Sequence, residues 1–421
     1  MTKRRKIKKK NVSIGILILL LAGLLIFFLP IENKQVKTKK IKEEIVMKNY
    51  VGKDYNELKE WAEKNEITIE EEREYSSEYK ENTIISQDIK EDTKLKKKDV
   101  IKIVISKGEI PVSIYKDNNV DELGNVPIMM YHGIHNMKNS ETPNTGGNVD
   151  VDGYNRTSEA FRQDLEFYYQ NNYRMIRLID YIHGKIDVEL GKSPLILTFD
   201  DGKENNFKVL GKKDGKLEID PNCAVGILEE FKNKYKDFNV TATFFVNGGL
   251  FQQEEYDEDI LNWLVENGYD VGNHTLTHPD FTKISAETTQ KEVGTMYQTL
   301  DRILKDKYVH IIAMPFGSPY RKDHPNFNLM LKGTYNGQSY ETESMLRVGW
   351  ESEVSPFNKE FDKTFLKRIR AYDHNGTECD IEMNFSILKN NRYISDGDPN
   401  TVVIKEKDKD NINTELKVRT Y

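Results

Sequence analysis

Two hydrophobic patterns divide the chain. Between Ile45 and Gly108, the short alternating stretches TIISQ and VIKIVIS follow one segment, YNELKEWAEKN, whose Leu58, Trp61 and Ala62 recur on one helical face. A lone amphipathic helix cannot cover its own apolar face, so the strands are expected to form a sheet beneath it. The prediction is a small α+β module over residues 45–108. Residues 30–44, charged and poor in apolar positions, read as a linker, and residues 109–124 as a second one.

From Val126 onward the pattern changes to solid apolar runs alternating with helix-spaced ones. VPIMMYHG, PLILTFDDG, VTATFFVNGG, YDVGNHTLTH and VHIIAMPFG read as strands. TSEAFRQDLEFYYQNNY, AVGILEEFKNKY and EDILNWLVENG read as helices, the first with Thr157 or Ser158 as N-cap and the last ending at Gly268. Such alternation predicts an α/β fold of parallel βα units over residues 125–421, with helices outside and functional residues on loops at the carboxyl ends of strands. Four strands end in YHG, FDDG, NHTLTH and MPFG. Beyond Asn375 the pattern indicates added strands and loops with no legible role.

The amino terminus adds a membrane element. MTKRRKIKKK carries seven Lys or Arg, and Val12 to Leu29 is an uncharged run of eighteen residues. As a helix it would span about 27 Å, close to the hydrocarbon thickness of a bilayer. With no small-x-small cleavage site after it, the run reads as an uncleaved signal anchor at 12–29 behind a basic cytoplasmic tail at 1–11. The positive-inside rule then places the rest outside the cell. Taking the seven positive charges from the net −7 leaves −14 for that outer part, which argues against nucleic acid as a partner. Cys223 and Cys379, the only cysteines, form no metal-spaced pair and no disulfide framework.

The candidate chemistry begins at Asp200 and Asp201, adjacent at the end of an apolar strand. Gly202 frees the backbone to turn, so both carboxylates can face one cavity, and two such charges need positive compensation. His274 and His278, in HTLTH some seventy residues later, supply it. Pro279 biases His278 toward an extended conformation, so the pair belongs on a loop or single turn. One Asp and two His suit Zn²⁺ with a fourth position left for water, and the second Asp is then free to act as base.

Both regions resemble known families. VGKDYNELKEWAEKNEI, NTIISQDIKEDTKLKKKDVIKIVISKG and the closing Ser106-Lys107-Gly108 resemble a PASTA domain, which implies affinity for peptidoglycan; a plain spacer is the alternative. TFDDG, ATFFV and HTLTH resemble the NodB-homology polysaccharide deacetylases of carbohydrate esterase family four. That resemblance implies a distorted (β/α) barrel, a divalent metal and removal of acetyl groups from N-acetylhexosamine units. It maps the catalytic base to Asp200 and the metal ligands to Asp201, His274 and His278.

The departures are equally specific. The family's R-x-P-Y-G is here AMPFG, with Ala313 in place of the arginine that orients the base. Phe316 still offers a backbone oxyanion donor, while the arginine's role has no assigned residue. The family's late L-x-H-D histidine is also missing, since His374 in IRAYDH is a weak imitation. His132, ending the strand IMMYH, instead resembles the last strand of the circularly permuted branch and is the implied general acid. Trp350 in VGW resembles an aromatic that supports the site. For a membrane-tethered chain whose catalytic domain faces outward, the expected substrate and partner is cell-wall glycan, most simply peptidoglycan; another surface poly-N-acetylglucosamine-type glycan and an inactive wall-binding anchor are the alternatives.

Overall fold

The computed structural model describes residues 44–421, so the anchor expected at 12–29 lies outside the described residues, among which no helix is long and apolar enough to cross a membrane. The first unit follows the expected pattern. Helix α1 (Tyr55–Asn65), capped by the Asp54 carboxylate on the amide of Asn56, lies on a three-stranded sheet. Strand β1 (Thr68–Glu74) runs parallel to β3 (Val100–Ser106), and β2 (Ile84–Gln87) runs antiparallel to it. Leu58 and Ala62 of the helix meet Ile84, Ile101, Ile103 and Ile105 of the sheet. Trp61 packs at the margin with its ring 5.8 Å from that of Tyr50.

The second unit is a barrel of parallel strands. Its order is β9 (Ser344–Leu346), β8 (Ile311–Ala313), β7 (Asp270–Asn273), β6 (Thr243–Val246), β5 (Ser193–Phe199), β4 (Ile128–Tyr131) and β10 (Ile369–Arg370). Residues just ahead of β10 close the ring, because Leu366 bonds to Met345 and Arg347 to Leu366. Alternation along each strand separates two cores. Met129, Leu197 and Phe244 pack outward on helices α2 (Ser158–Gln170) and α3 (Ala224–Lys234) through Phe161, Leu165 and Ile227. Ile128, Ile196 and Phe245 join Ile311, Leu346 and Leu366 in the other cluster. Thr157 is the N-cap of α2, accepting from the amide of Ala160. Helix α4 (Asp257–Glu266) stops two residues before Gly268, whose φ of +87° ends the helical path.

Residues 109–124 are not a linker. They contain a short helix (Val112–Asp117), and Ile110, Tyr115 and Val120 are buried against Val403. The reason is the tail of the chain: β11 (Thr401–Ile404), paired with β12 (Lys417–Thr420), needs an apolar cover that those residues provide. The segment KENNFKVLGKKDGKLEIDPN forms an antiparallel hairpin, Val209–Lys213 with Lys216–Ile219, turned at Asp214-Gly215.

A buried acid pair fastens the same tail. Glu122 accepts hydrogen bonds from the Tyr393 hydroxyl and the amides of Val403 and Asp396, while Asp396 accepts from Thr401. Burial, then the charge of Asp396, raises the Glu122 carboxyl well above its ordinary range, and burial pushes Asp396 up to about 6. A raised folded-state pKa gives stability that is full below the unfolded value and lost as pH rises through the folded one. The stabilisation from Asp396 is therefore present near pH 4 and gone above about pH 6. Thermal melts of Asp396→Asn should lose part of the wild-type protein's dependence on pH between 4 and 7. An unchanged dependence would remove Asp396 from the account.

Candidate active site

Four of the loops that follow barrel strands build the site, after β4, β5, β7 and β8. Along β5, Ile196 and Thr198 share a face with Asp200, which continues the strand inward. Its carboxylate is held by Arg368, whose Nη1 and Nη2 donate to the two oxygens at 2.8 and 2.7 Å. The remaining guanidinium donors reach Thr198 Oγ1 at 3.1 Å and the carbonyl of Arg347 at 2.8 Å. Both side chains of the pair are almost fully buried. Burial works against the charged form of Asp200, but the charge and hydrogen bonds of Arg368 prevail, and its carboxyl lies below the usual range.

At Asp201 the chain turns, with φ of +77°, and Gly202 follows at +57°. A Cβ on Gly202 would lie 2.2 Å from the carbonyl oxygen of Leu250, so only glycine fits. The turn sends the Asp201 carboxylate away from Arg368 and toward the histidines, as the strand alternation alone would not have done. Its Oδ1 lies 3.2 Å from His274 Nε2 and 3.6 Å from His278 Nε2, and its Oδ2 pairs with Lys203 at 3.0 Å. Burial opposes that charge, yet His274, His132 and Lys203 hold the Asp201 carboxyl far below its ordinary range.

The His274 to His278 segment is a loop after β7, as expected, but His278 takes φ of +58° and not the extended conformation that Pro279 favours. Packing overrides the bias. Glu292, buried on helix α5 (Ala286–Leu304), accepts from the amide and hydroxyl of Thr277 at 2.7 and 2.8 Å, and its carbonyl takes the amide of Leu276. Thr275 and Phe316 also have positive φ, at +67° and +57°. Left-handed non-glycine residues cost on the order of 1 kcal/mol or more each, and here they gather at one place, as strain does at functional sites.

The donor set fits a divalent metal. One ligand atom from each of Asp201, His274 and His278 lies within 4.8 Å of the others. His274 Nδ1 donates to the carbonyl of Ala313 at 2.8 Å, which leaves the Nε2 lone pair facing Asp201. Ala313, the residue in place of the expected arginine, thus serves the site through its backbone.

His132 directly follows β4, which lies beside β5 with Tyr131 opposite Phe199, so the histidine and Asp200 emerge on one rim. Its Nδ1 is buried without a hydrogen-bond partner among the described residues. Burial pushes its pKa down to about 4, against the pull of Asp200 and Asp201. Asn206 Nδ2 donates to the His132 carbonyl at 2.6 Å and fixes the backbone there. Phe316 sits in the Pro315–Gly317 turn with an exposed ring 4.6 Å from that of His278, and its amide has no partner among the described residues. Trp350 is exposed beyond β9. His374 bonds to Thr377 and stays with its own surface turn.

Arg368 is the residue that sequence reasoning missed. It comes from LKRIR, far from the AMPFG position where an arginine was sought, and only ring closure brings it to Asp200. The available signal was Arg368 two residues from Leu366 and from Arg370 in LKRIRAY, on the alternating positions of a segment that enters a strand.

Comparison with known proteins follows the same division. Residues 187–327 match the family described as polysaccharide deacetylase, and residues 45–107 match the PASTA domain. A peptidoglycan-N-acetylglucosamine deacetylase of Bacillus cereus is 28% identical over 27% of this chain and 32% of its own length. A peptidoglycan-N-acetylmuramic acid deacetylase of Bacillus subtilis is 25% identical over 43% of this chain and 30% of its own. A chitooligosaccharide deacetylase of Rhizobium leguminosarum is 29% identical over 28% of this chain and 41% of its own. The chain thus spans well under half the length of these relatives. A deacetylase of Streptococcus pyogenes, solved in complex with acetate, aligns with a TM-score of 0.44 at 20% identity, over 63% of this chain and 97% of that one.

Proposed function

For a chain that carries a polysaccharide deacetylase domain behind a PASTA domain, we propose a metal-dependent hydrolase that removes acetyl groups from N-acetylhexosamine units of a cell-wall glycan, most simply peptidoglycan. The observation that carries the reading is the division of labour between the adjacent aspartates: Asp201 converges with His274 and His278, while Asp200 is held apart by Arg368. A divalent ion held by Asp201, His274 and His278, Zn²⁺ by its donor chemistry, would polarise the acetyl carbonyl and lower the pKa of water. Asp200, kept ionised by Arg368, takes the proton from the attacking water. The amide of Phe316 is free to donate to the developing oxyanion, a type of contact worth a few kcal/mol of barrier. His132 passes a proton to the departing amine, and the products are acetate and a free amino sugar. Because burial keeps His132 neutral at rest, the proton it passes to the amine is drawn from solvent as negative charge builds beside it, and the proton taken by Asp200 returns to solvent after turnover.

The apolar run at 12–29 and its basic flank support a single-pass anchor with the catalytic domain outside the cell, and the PASTA domain supports attachment to the wall. The full chain is expected to release acetate from purified peptidoglycan or from an N-acetylglucosamine oligomer, with release lost on chelation and restored by Zn²⁺. Asp201→Ala should abolish both release and stoichiometric metal binding. Tight metal binding without release from either glycan would mean another acylated substrate, and neither metal nor release would favour a wall-binding anchor.

A further inference from the structure

Arg368, the residue just ahead of β10, and Arg370, the last residue of that strand, are two positions apart and meet different surroundings. Arg368 is neutralised by Asp200. Arg370, half-buried, has neither a carboxylate nor a hydrogen-bond acceptor for its guanidinium among the described residues. Its Cζ instead lies 3.9 Å from the centre of the Tyr372 ring and 5.2 Å from that of Tyr154. The Tyr154 ring in turn stands edge-on to His132 at 5.1 Å.

These tyrosines are fixed. Asp150 accepts from the amides of Tyr154 and Asn155 and from Asn155 Nδ2, which ties the loop that carries Tyr154. That loop presses onto Tyr372, for a Cβ on Gly153 would come within 2.6 Å of the Tyr372 Cβ. Asp150 is engaged by these bonds and Asp373 accepts from the amide of Asn375, and neither acid forms an ion pair with Arg370 among the described residues. What remains is a planar cation held by stacking, with its in-plane N–H groups unclaimed, one aromatic ring away from the proposed proton donor. Planar guanidinium forks bind carboxylates through two parallel hydrogen bonds, and stacking reduces the freedom lost on binding.

We propose that Arg370 is an anion-binding subsite for a carboxylate carried on the sugar at the reacting position, so that an acidic N-acetylated glycan is preferred over a neutral one. The proposal rests on the deacetylase reading and narrows it. With His132 beside the departing amine, a group one ring's width away corresponds to a substituent on the carbon next to the acetamido group. A lactyl ether there, as in muramic acid, places a carboxylate within reach; a neutral N-acetylglucosamine chain offers nothing to Arg370.

The test compares three glycans: a tetramer of N-acetylglucosamine, a peptide-free tetramer in which alternate sugars carry a lactyl ether, and that tetramer bearing stem peptides. Binding to the full chain is measured by calorimetry after chelation, alongside acetate release from the metal-loaded protein. The wild-type protein should bind the peptide-free lactyl tetramer about tenfold or more tighter than the neutral one. Arg370→Met should remove that difference, raising KM for the lactyl tetramer with little change in kcat, and alter the neutral tetramer less than about twofold. Arg370→Lys, which keeps the charge without the fork, should restore only part.

Equal losses on both tetramers would make Arg370 a prop for Tyr154 and His132 and overturn the proposal, as would a wild-type protein with no preference. Preference for the peptide-bearing glycan alone would overturn the assignment to a ring substituent. An Arg370-dependent preference in binding, with no acetate released from any glycan, would uphold the subsite and refute the deacetylase reading.

Discussion

Asp200→Asn is expected to lower kcat by about 10² to 10⁴ while leaving metal content unchanged, the range associated with loss of a positioned general base. The substitution keeps the shape of the side chain and one acceptor for Arg368, but removes the group that takes the proton. The proposed metal ligands are separate residues, with Asp201 turned toward His274 and His278 by a left-handed backbone. Zinc stoichiometry therefore distinguishes a lost base from a collapsed site. A variant with normal metal content and near-native turnover would move the base elsewhere.

Arg368→Met should have the largest effect on stability. The guanidinium is fully buried and gives four hydrogen-bonding contacts, two of them to Asp200. Without it the carboxylate is left in the barrel with its desolvation cost uncompensated. Breaking a buried pair on one side costs about 3–5 kcal/mol, which for a domain of this size lowers Tm on the order of 10 °C. Turnover should fall as well, since Asp200 loses its orientation.

The double variant Arg368→Met with Asp200→Asn separates charge from shape. It should recover part of the lost Tm, because no unpaired carboxylate remains, yet stay inactive. Arg368→Lys should not restore the wild-type behaviour, because an ammonium group cannot reproduce the fork. If Arg368→Met melts like the wild-type protein, the pair is not what holds this end of the barrel.

Features that depend on local pattern were legible in the amino-acid order. Strand and helix periods, the Gly202 turn and the Thr157 cap are set within a few residues of one another, and so were legible. The adjacent aspartates and the spaced histidines likewise pointed to the side chains that converge at Asp201, His274 and His278, because each cluster is contiguous in the chain. Residues 109–124 were misread as a linker because their burial depends on a strand nearly three hundred residues away. The same holds for His278, whose backbone is fixed by Glu292 on a later helix against the local preference set by Pro279.

Which residue steadies Asp200 depends on how the barrel closes. A buried carboxylate requires a cation, but the requirement does not say which strand supplies it, and ring closure selected Arg368 in place of the position held by Ala313. It also decided that two arginines at and just ahead of one short strand have different fates, one neutralised within the barrel and one left stacked at its mouth. Sequence fixes the period of side chains along a strand; the partner that each one meets is set by strands distant in the chain, through the register of the closed barrel.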